Sequence, residues 1–468
     1  MTDKLQYRLT MRGRNGYLRH LLYRPHESQL IWEDNAGGPS GVERVSLNAV
    51  GMEYKDRERT WESAFPMSPD NPARKSRAVH TLKIQMGFKC NFACAYCNQA
   101  SQGGAVGGNV ADARAFLENL PDWIQVDPDN LRIEFWGGEP LVYWKALKVL
   151  GEGLRERFPK AHFNIITNGS LLDDEKINWL DELGFGVSIS HDGPAHKATR
   201  GPDPLETPAT RQAIRSLYDR LFPKGMIGFG CVLTKDNRSL VAIREYIGER
   251  LGIPARDIPL STEEILLPYD QGGLALSPST DEEHEQFLTD VFWEAVRGGS
   301  MPVGAVRGKC EDFYCSLAQG RPARTLGQKC GMDKPEHLAV DLKGNVLTCQ
   351  NTSASTRRGA AMAHGIGNVD AFDDIRLTTS RHWSTRPECN RCPVVQLCKG
   401  SCMFLEGDLW DQACDNSYTW NLSMLAVALY WLTRLVLVEI EGPSRRPGLP
   451  NIMPVIPLTD LQEEGPDA

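Results

Sequence analysis

The stretch 79-VHTLKIQMGFKCNFACAYCNQ-99 joins an apolar run to a loop carrying Cys90, Cys94 and Cys97. The run VHTLKIQM has the length and composition of a buried strand. The cysteines follow it as CxxxCxxC. A closed structural zinc site takes four ligands, commonly from CxxC pairs. His80 lies upstream at the strand start and is poorly placed to be the fourth. A four-iron cluster is held by cysteine thiolates, normally one per iron. Three thiolates in one loop would leave one iron open to a substrate or cofactor.

Downstream the rhythm is strand, then helix. LRIEFW (131–136) leads to the helical VYWKALKVLGEGLRERF, and FNII leads to DDEKINWLDELG. GVSIS (186–190) precedes a helix near 208–221, and MIGFGCVL (226–233) precedes one near 238–250. Such alternation makes right-handed crossovers and a parallel sheet. Five or six units fit a partial α/β barrel over 79–305, with functional residues at the C-terminal strand ends. Residues 1–78 read as a small, mainly-β domain. QYRLTM and SQLIWE alternate there, NAGGPSG and SPDNPARKS punctuate them, and the latter reads as a linker.

Residues 306–422 are loop-rich and hold nine of the thirteen cysteines. They read as a domain built around metal. Residues 423–468 contain the apolar stretch MLAVALYWLTRLVLVEI, Met424–Ile440, interrupted by Arg434. It is shorter than the roughly 18 to 20 uncharged residues of a membrane span, so a buried or docking helix is expected. The Pro-rich tail after Gly442 reads as extended or disordered.

A chain of 468 residues needs no disulfide staples for its core. The N-terminus lacks the apolar segment of a signal peptide, which predicts a cytoplasmic setting. Clustered thiols in a reducing compartment are metal ligands or redox groups. A net charge of −8 argues against nucleic acid as the main partner. Lys4, Arg8, Arg12, Arg14, Arg19 and Arg24 make the first segment basic. A solvated strand face is the preferred reading, ahead of a patch for an acidic partner.

CxxxCxxC with Tyr96 before the last cysteine resembles the signature of the radical S-adenosylmethionine (radical SAM) superfamily. The resemblance implies a partial (β/α)6 barrel and a 4Fe-4S cluster whose open iron binds S-adenosylmethionine. Reductive cleavage of that cofactor would give a 5′-deoxyadenosyl radical, which abstracts a substrate hydrogen atom. GGEP (137–140), TNG (167–169) and SISHDGP (188–194) fall after successive strands, where the family places its cofactor contacts. Alone, GGEP or TNG could be an ordinary turn; their order and placement carry the match. By it, Gly137 and Gly138 allow close backbone approach, and Glu139 accepts from the cofactor ammonium. Asn168 and Ser190 contact its polar groups, and Arg200 pairs its carboxylate. His191 points away from Ser190 by strand alternation and reads as structural.

A second array runs Cys330-x13-Gly344-x4-Cys349, Cys389-x2-Cys392-x5-Cys398-x3-Cys402, then Cys414. It resembles the seven-cysteine pattern of the SPASM domain, which extends many radical SAM enzymes that act on peptides. The resemblance implies two auxiliary 4Fe-4S clusters, three clusters in all. One would use Cys330, Cys349 and Cys402 with an upstream cysteine. Cys310 and Cys315 compete for that place, and Cys315 is favoured as the nearer. The other would use Cys389, Cys392, Cys398 and Cys414. A pair of zinc sites is the simpler alternative. Cys231, in an apolar strand, reads as a small buried hydrophobe.

The resemblance implies a polypeptide substrate and an electron donor such as flavodoxin or ferredoxin. Two auxiliary clusters suggest net oxidation. A Cys sulfur-to-carbon thioether is the leading product expected. A carbon–carbon crosslink, epimerisation, formylglycine formation and a non-catalytic electron-transfer protein are the alternatives. Formylglycine makers carry an acid directly after the second array cysteine, where this chain has Gln350. Asp341, in HLAVDLKGNVLTC, is a candidate base, although D-x-x-G-N is usually a hairpin turn.

Overall fold

The computed structural model describes residues 5–33, 43–55, 60–64, 66–100, 107–125, 130–300, 303–355, 357–358, 362–378 and 380–446. Strands β1 (Tyr7–Arg12), β2 (Leu18–Arg24) and β3 (Gln29–Trp32) open the chain as an antiparallel meander. Tyr7, Leu9 and Met11 alternate inward, as do Leu21 and Tyr23. The basic side chains on the outer face find partners within the sheet. Arg8 pairs with Glu33 at 2.8 Å, and the Arg19 guanidinium lies 3.5 Å from the Trp32 ring centre. That matches the solvated-face reading. NAGGPSG, Lys4, and the tail from residue 447 lie outside the described residues.

Six parallel strands build the next layer. They are β4 (Thr81–Gln85), β5 (Arg132–Trp136), β6 (His162–Thr167), β7 (Phe185–Ser190), β8 (Ile227–Leu233) and β9 (Leu260–Ile265). Each pairs with the next in parallel. The connecting helices are α1 (Val110–Trp123), α2 (Trp144–Arg157), α3 (Asp174–Glu182), α4 (Pro208–Leu221) and α5 (Leu240–Leu251). Side chains that start helices cap them: Asn109 for α1, Asp173 for α3 and Ser239 for α5. Leu82, Ile84, Ile133, Phe135, Phe163, Ile165, Val187 and Ile189 form the core against these helices.

The opposite face of the sheet is polar. Lys83, Glu134, Asn164 and Gly186 are register partners across four strands on it. The sheet does not close: β9 stays at one edge, which makes a partial barrel.

At the other edge the cysteine-rich segment joins the same sheet. Strand β10 (His337–Asp341) pairs in parallel with β4. Strands β11 (Asn345–Leu347) and β12 (Gly365–Asn368) extend it antiparallel. The helices α6 (Asp281–Val296) and α7 (Gly304–Gln319) pack against α8 (Gly407–Thr433). Helix α8 is buried almost all round, as its apolar composition requires.

Two expectations need correction. The apolar stretch Met424–Ile440 is not one helix. Helix α8 ends at Thr433, Arg434 turns the chain in a left-handed conformation (φ 59°), and β13 (Val436–Glu441) follows. Strand β13 pairs with β1, so the N-terminal sheet is completed from the far end of the chain. SPDNPARKS is likewise no linker. Ala73–Arg74 pairs with Arg376–Leu377, and the buried Lys75 ammonium donates to the Met332 carbonyl at 2.7 Å. Extended backbone satisfied by a distant segment leaves no local sequence mark. No helix among the described residues is long and apolar enough to cross a membrane.

Candidate functional site

The three-cysteine loop leaves the C-terminal end of β4 and is tied to GGEP. Gly138 N–H donates to the Gly87 carbonyl at 2.9 Å, and Glu139 N–H to the Lys89 carbonyl at 3.0 Å. A Cβ on Gly138 would stand 2.4 Å from the Lys89 oxygen, so only glycine fits. Gly137 lies beside Gly87 in the same contact. The Tyr143 hydroxyl accepts from Lys89 N–H at 2.7 Å. The thiols of the loop feel one another. Burial pushes Cys94 up to about 11; the Arg200 guanidinium opposes this, and Cys97 and Cys90 add to it.

Glu139 is 1% exposed and braces the site. Its carboxylate accepts from Thr167 Oγ1 at 2.7 Å, Asn168 N–H at 2.7 Å and Leu141 N–H at 3.0 Å. Three of about four acceptor directions are filled, which leaves one for an ammonium group. Asn168 Nδ2 donates to Asn91 Oδ1 at 2.9 Å and so ties TNG to the cysteine loop. Ser190 ends β7, half-buried, beside its register partner Gly230.

Asp192 is the hub that motif reading missed. It is fully buried, and its Oδ2 accepts from the Tyr96 hydroxyl and from Thr199 Oγ1 at 2.7 Å. The same oxygen lies 3.0 Å from Arg200 Nε, and Oδ1 accepts from Val232 N–H at 3.0 Å. Although burial works against its charge, Arg200 and these donors hold its carboxyl below the usual range. One carboxylate thus joins the cysteine loop, through Tyr96, to Arg200. The signal available in the sequence was an aspartate between His191 and Gly193 at a strand end. His191 is structural as expected: Nε2 meets Asp203 at 3.0 Å, and Nδ1 accepts from Gly193 N–H at 3.0 Å.

The second array forms two groups. Cys389, Cys392, Cys398 and Cys414 line one cavity together with Ser417, Tyr418 and Arg445. Burial and the neighbouring thiols push Cys389 well up. Ser417 Oγ, the Tyr418 hydroxyl and Arg445 Nε are all buried with no hydrogen-bond partner among the described residues. Buried orphans are costly and rare. A sulfide-containing core inside the cavity would give them acceptors. Among the described residues no three His, Cys, Asp or Glu side chains stand together as a ready-made metal site.

Cys330, Cys349 and Cys402 form the other group. Burial raises Cys349 to about 12, and Cys330 and Cys402 contribute to the rise. The Tyr269 hydroxyl bonds with the Cys402 thiol. Lys83, from the polar face of β4, favours the thiolates of both Cys330 and Cys349.

Of the two candidates for a fourth thiol, both on α7, Cys315 is exposed and Cys310 is buried in apolar packing. Five residues apart on a helix, the two cannot share a face.

Asp341 is spent on its own turn. Oδ1 accepts from Lys343 N–H at 2.9 Å and Asn345 N–H at 3.0 Å, and Oδ2 accepts from Asn345 Nδ2 at 2.8 Å. Gly344, at φ 77°, completes that hairpin. The turn reading accounts for Asp341, and the base reading gains nothing. Gln350, after Cys349, accepts from Lys83 Nζ at 3.5 Å. Lys83 also stands 3.7 Å from Glu134, whose Oε2 accepts from Trp136 Nε1 at 3.1 Å. Cys231 is buried, with its thiol 3.4 Å from the Ser261 carbonyl.

Comparison with known proteins agrees with this geometry. Residues 84–242 match the radical SAM superfamily, and this part of the chain is a radical SAM domain. The radical SAM cyclopropyl synthase TigE of Paramaledivibacter caminithermalis is 25% identical over 361 residues, 71% of this chain and 70% of that protein. A cysteine-type anaerobic sulfatase-maturating enzyme of Clostridium perfringens is 23% identical over 341 residues, 67% of this chain and 85% of that protein. Among solved structures, native anSMEcpe with bound AdoMet superposes with a TM-score of 0.52 at 19% identity. The match covers 75% of this chain and 99% of that one, and it concerns the fold.

Proposed function

We infer that the chain is a radical SAM enzyme of the SPASM type that modifies a polypeptide, forming Cys sulfur-to-carbon thioether crosslinks within it. The observation that carries the reading is the continuity of one sheet face. It runs from the three-cysteine loop past Lys83 and Glu134 to Ala339 on β10, which packs with Cys349 and Cys402. A substrate on that face would lie between the radical-generating site and the first auxiliary site. Cys90, Cys94 and Cys97 would hold the first cluster. Arg200, Glu139, Asn168 and Ser190 would receive the polar groups of S-adenosylmethionine. Bound there, that cofactor supplies the hydrogen-abstracting chemistry.

Each crosslink removes a thiol hydrogen and a carbon-bound hydrogen while one S–C bond forms. Bound S-adenosylmethionine would supply the acceptor for the carbon-bound hydrogen atom, and a cluster held by the second cysteine array would supply the acceptor for the one electron left when the thiol hydrogen departs as a proton. Glu134, paired with Lys83 on the shared face, is placed to take the proton. The similar proteins named above act on polypeptides or carry out radical SAM chemistry, which supports a peptide substrate. In length and layout the chain also resembles the maturation protein of quinohemoprotein amine dehydrogenase, which joins Cys to Asp or Glu. Formylglycine formation is disfavoured because Gln350, an amide, stands where an acid is needed.

Anaerobic reduction with S-adenosylmethionine tests the first part: 5′-deoxyadenosine should form. A protein that holds iron but never forms it is an electron carrier, and the reading fails. Co-expression with a cysteine-containing peptide encoded beside it tests the second. A mass loss of two hydrogens per link, with loss of alkylatable thiol, is expected. A carbon–carbon crosslink would show the same mass loss with the thiols intact.

A further inference from the structure

Arg445 belongs to the segment after β13, yet it lies against the four-thiol cavity. Its side chain is 4% exposed. One terminal nitrogen donates to Cys414 Sγ at 3.3 Å, and the other pairs with Asp415. The guanidinium sits 4.3 Å from the Tyr418 ring centre. Its Nε is buried without a partner among the described residues. Burying a guanidinium is expensive, and one carboxylate shared with Arg446 compensates it incompletely. The thiol it bonds is one of the four lining the cavity. An N–H bond to a cluster sulfur and a nearby cation both favour the more negative, reduced state of such a core.

We propose that Arg445 sets the reduction potential of an iron–sulfur core held by Cys389, Cys392, Cys398 and Cys414, raising it through its bond to Cys414 and its buried charge. Asp415 opposes this by placing a negative charge on the other side of the guanidinium. Arg445 is therefore a positioning and tuning residue of the second auxiliary site. The inference rests on the iron–sulfur reading of that array, which iron and sulfide counts on the wild-type chain test separately.

The test uses the full chain, reconstituted with iron and sulfide, with Cys90, Cys94 and Cys97 replaced by alanine so that only auxiliary signals remain. The signal lost in Cys389→Ala identifies the second site. Potentiometric titration followed by electron paramagnetic resonance then reads its midpoint. R445M should shift that midpoint to more negative potential and leave the other auxiliary signal unmoved. D415N should shift it the opposite way. A purely structural role predicts no pair of opposite shifts. Should R445M lose the iron of this site, D415N decides alone: a positive shift supports the proposal and an unmoved midpoint overturns it. Unmoved midpoints in both variants, with iron retained, overturn it as well. A wild-type chain without iron and sulfide overturns the cluster reading, and the inference with it.

Discussion

The two thiol groups of the C-terminal region share one stretch of sequence and differ in almost everything else. In the four-thiol group Cys389 is buried and Cys392, Cys398 and Cys414 are half-buried. Tyr7 donates from its hydroxyl to the Arg391 carbonyl at 2.6 Å and so ties the N-terminal sheet across the site. In the three-thiol group Cys330 is exposed and Cys349 and Cys402 are half-buried, the latter two packed against the cluster that holds Ala339 of β10. The two groups therefore differ in the number of thiols brought together, four against three.

The largest effects should come from the thiols. Cys414→Ala and Cys402→Ala should each remove about four irons per chain, whereas Cys315→Ala should remove none. Iron analysis of the three variants checks this. Loss of iron in Cys315→Ala would erase the distinction between a four-thiol and a three-thiol site.

Next in size is the hub at the radical SAM loop. Asp192→Ala leaves Arg200 buried and unpaired, which should cost about 3 to 5 kcal/mol of stability by denaturant unfolding. Asp192→Asn, milder in shape, should slow 5′-deoxyadenosine formation by roughly two orders of magnitude through loss of the Tyr96 and Arg200 tie. Iron at both auxiliary groups should stay unchanged.

A smaller effect probes the open face. Glu134→Gln should leave 5′-deoxyadenosine formation intact without peptide, while crosslinking falls by about 100-fold. Equal loss of both would place Glu134 in cofactor binding instead.

A last effect concerns pH. Burial, helped by His191 and Arg200, lowers His196 to about 3, so it is neutral in the folded state. The unfolded chain binds that proton below its ordinary pKa, so stability is complete above about 6.5 and declines as pH falls toward about 3. Urea unfolding should show wild type losing up to about 1.4 kcal/mol per pH unit from this group, and His196→Phe losing less. Equal losses would mean that His196 is already protonated when folded.

Much of this was legible in the chain. The strands 81–85, 132–136 and 227–233 lie within a residue or two of the apolar runs that announced them. Their two-residue alternation is local, so no partner is needed to see it. The Asp341 turn was legible for the same reason, since D-x-x-G-N satisfies itself. The radical SAM motifs were legible as strings, but their work was not. Glu139 fills most of its acceptor directions within the protein, and Asp192 gathers groups from three separate segments. Neither fact has a one-dimensional signature.

The sequence by itself determined the parallel partial barrel, the three-cysteine loop and the gathering of nine cysteines into 306–422. Strand alternation, helix caps and ligand spacing are all written within a few residues. Only the tertiary structure decided which thiols meet. Cys402 stands four residues from Cys398, yet it joins Cys330 and Cys349, while Cys315 turns to solvent on α7. Only folding brought Arg445 and Tyr7, from opposite ends of the chain, to one buried site. Burial of charge and thiol is a property of three-dimensional neighbours, and β13 pairing with β1 is what makes those neighbours.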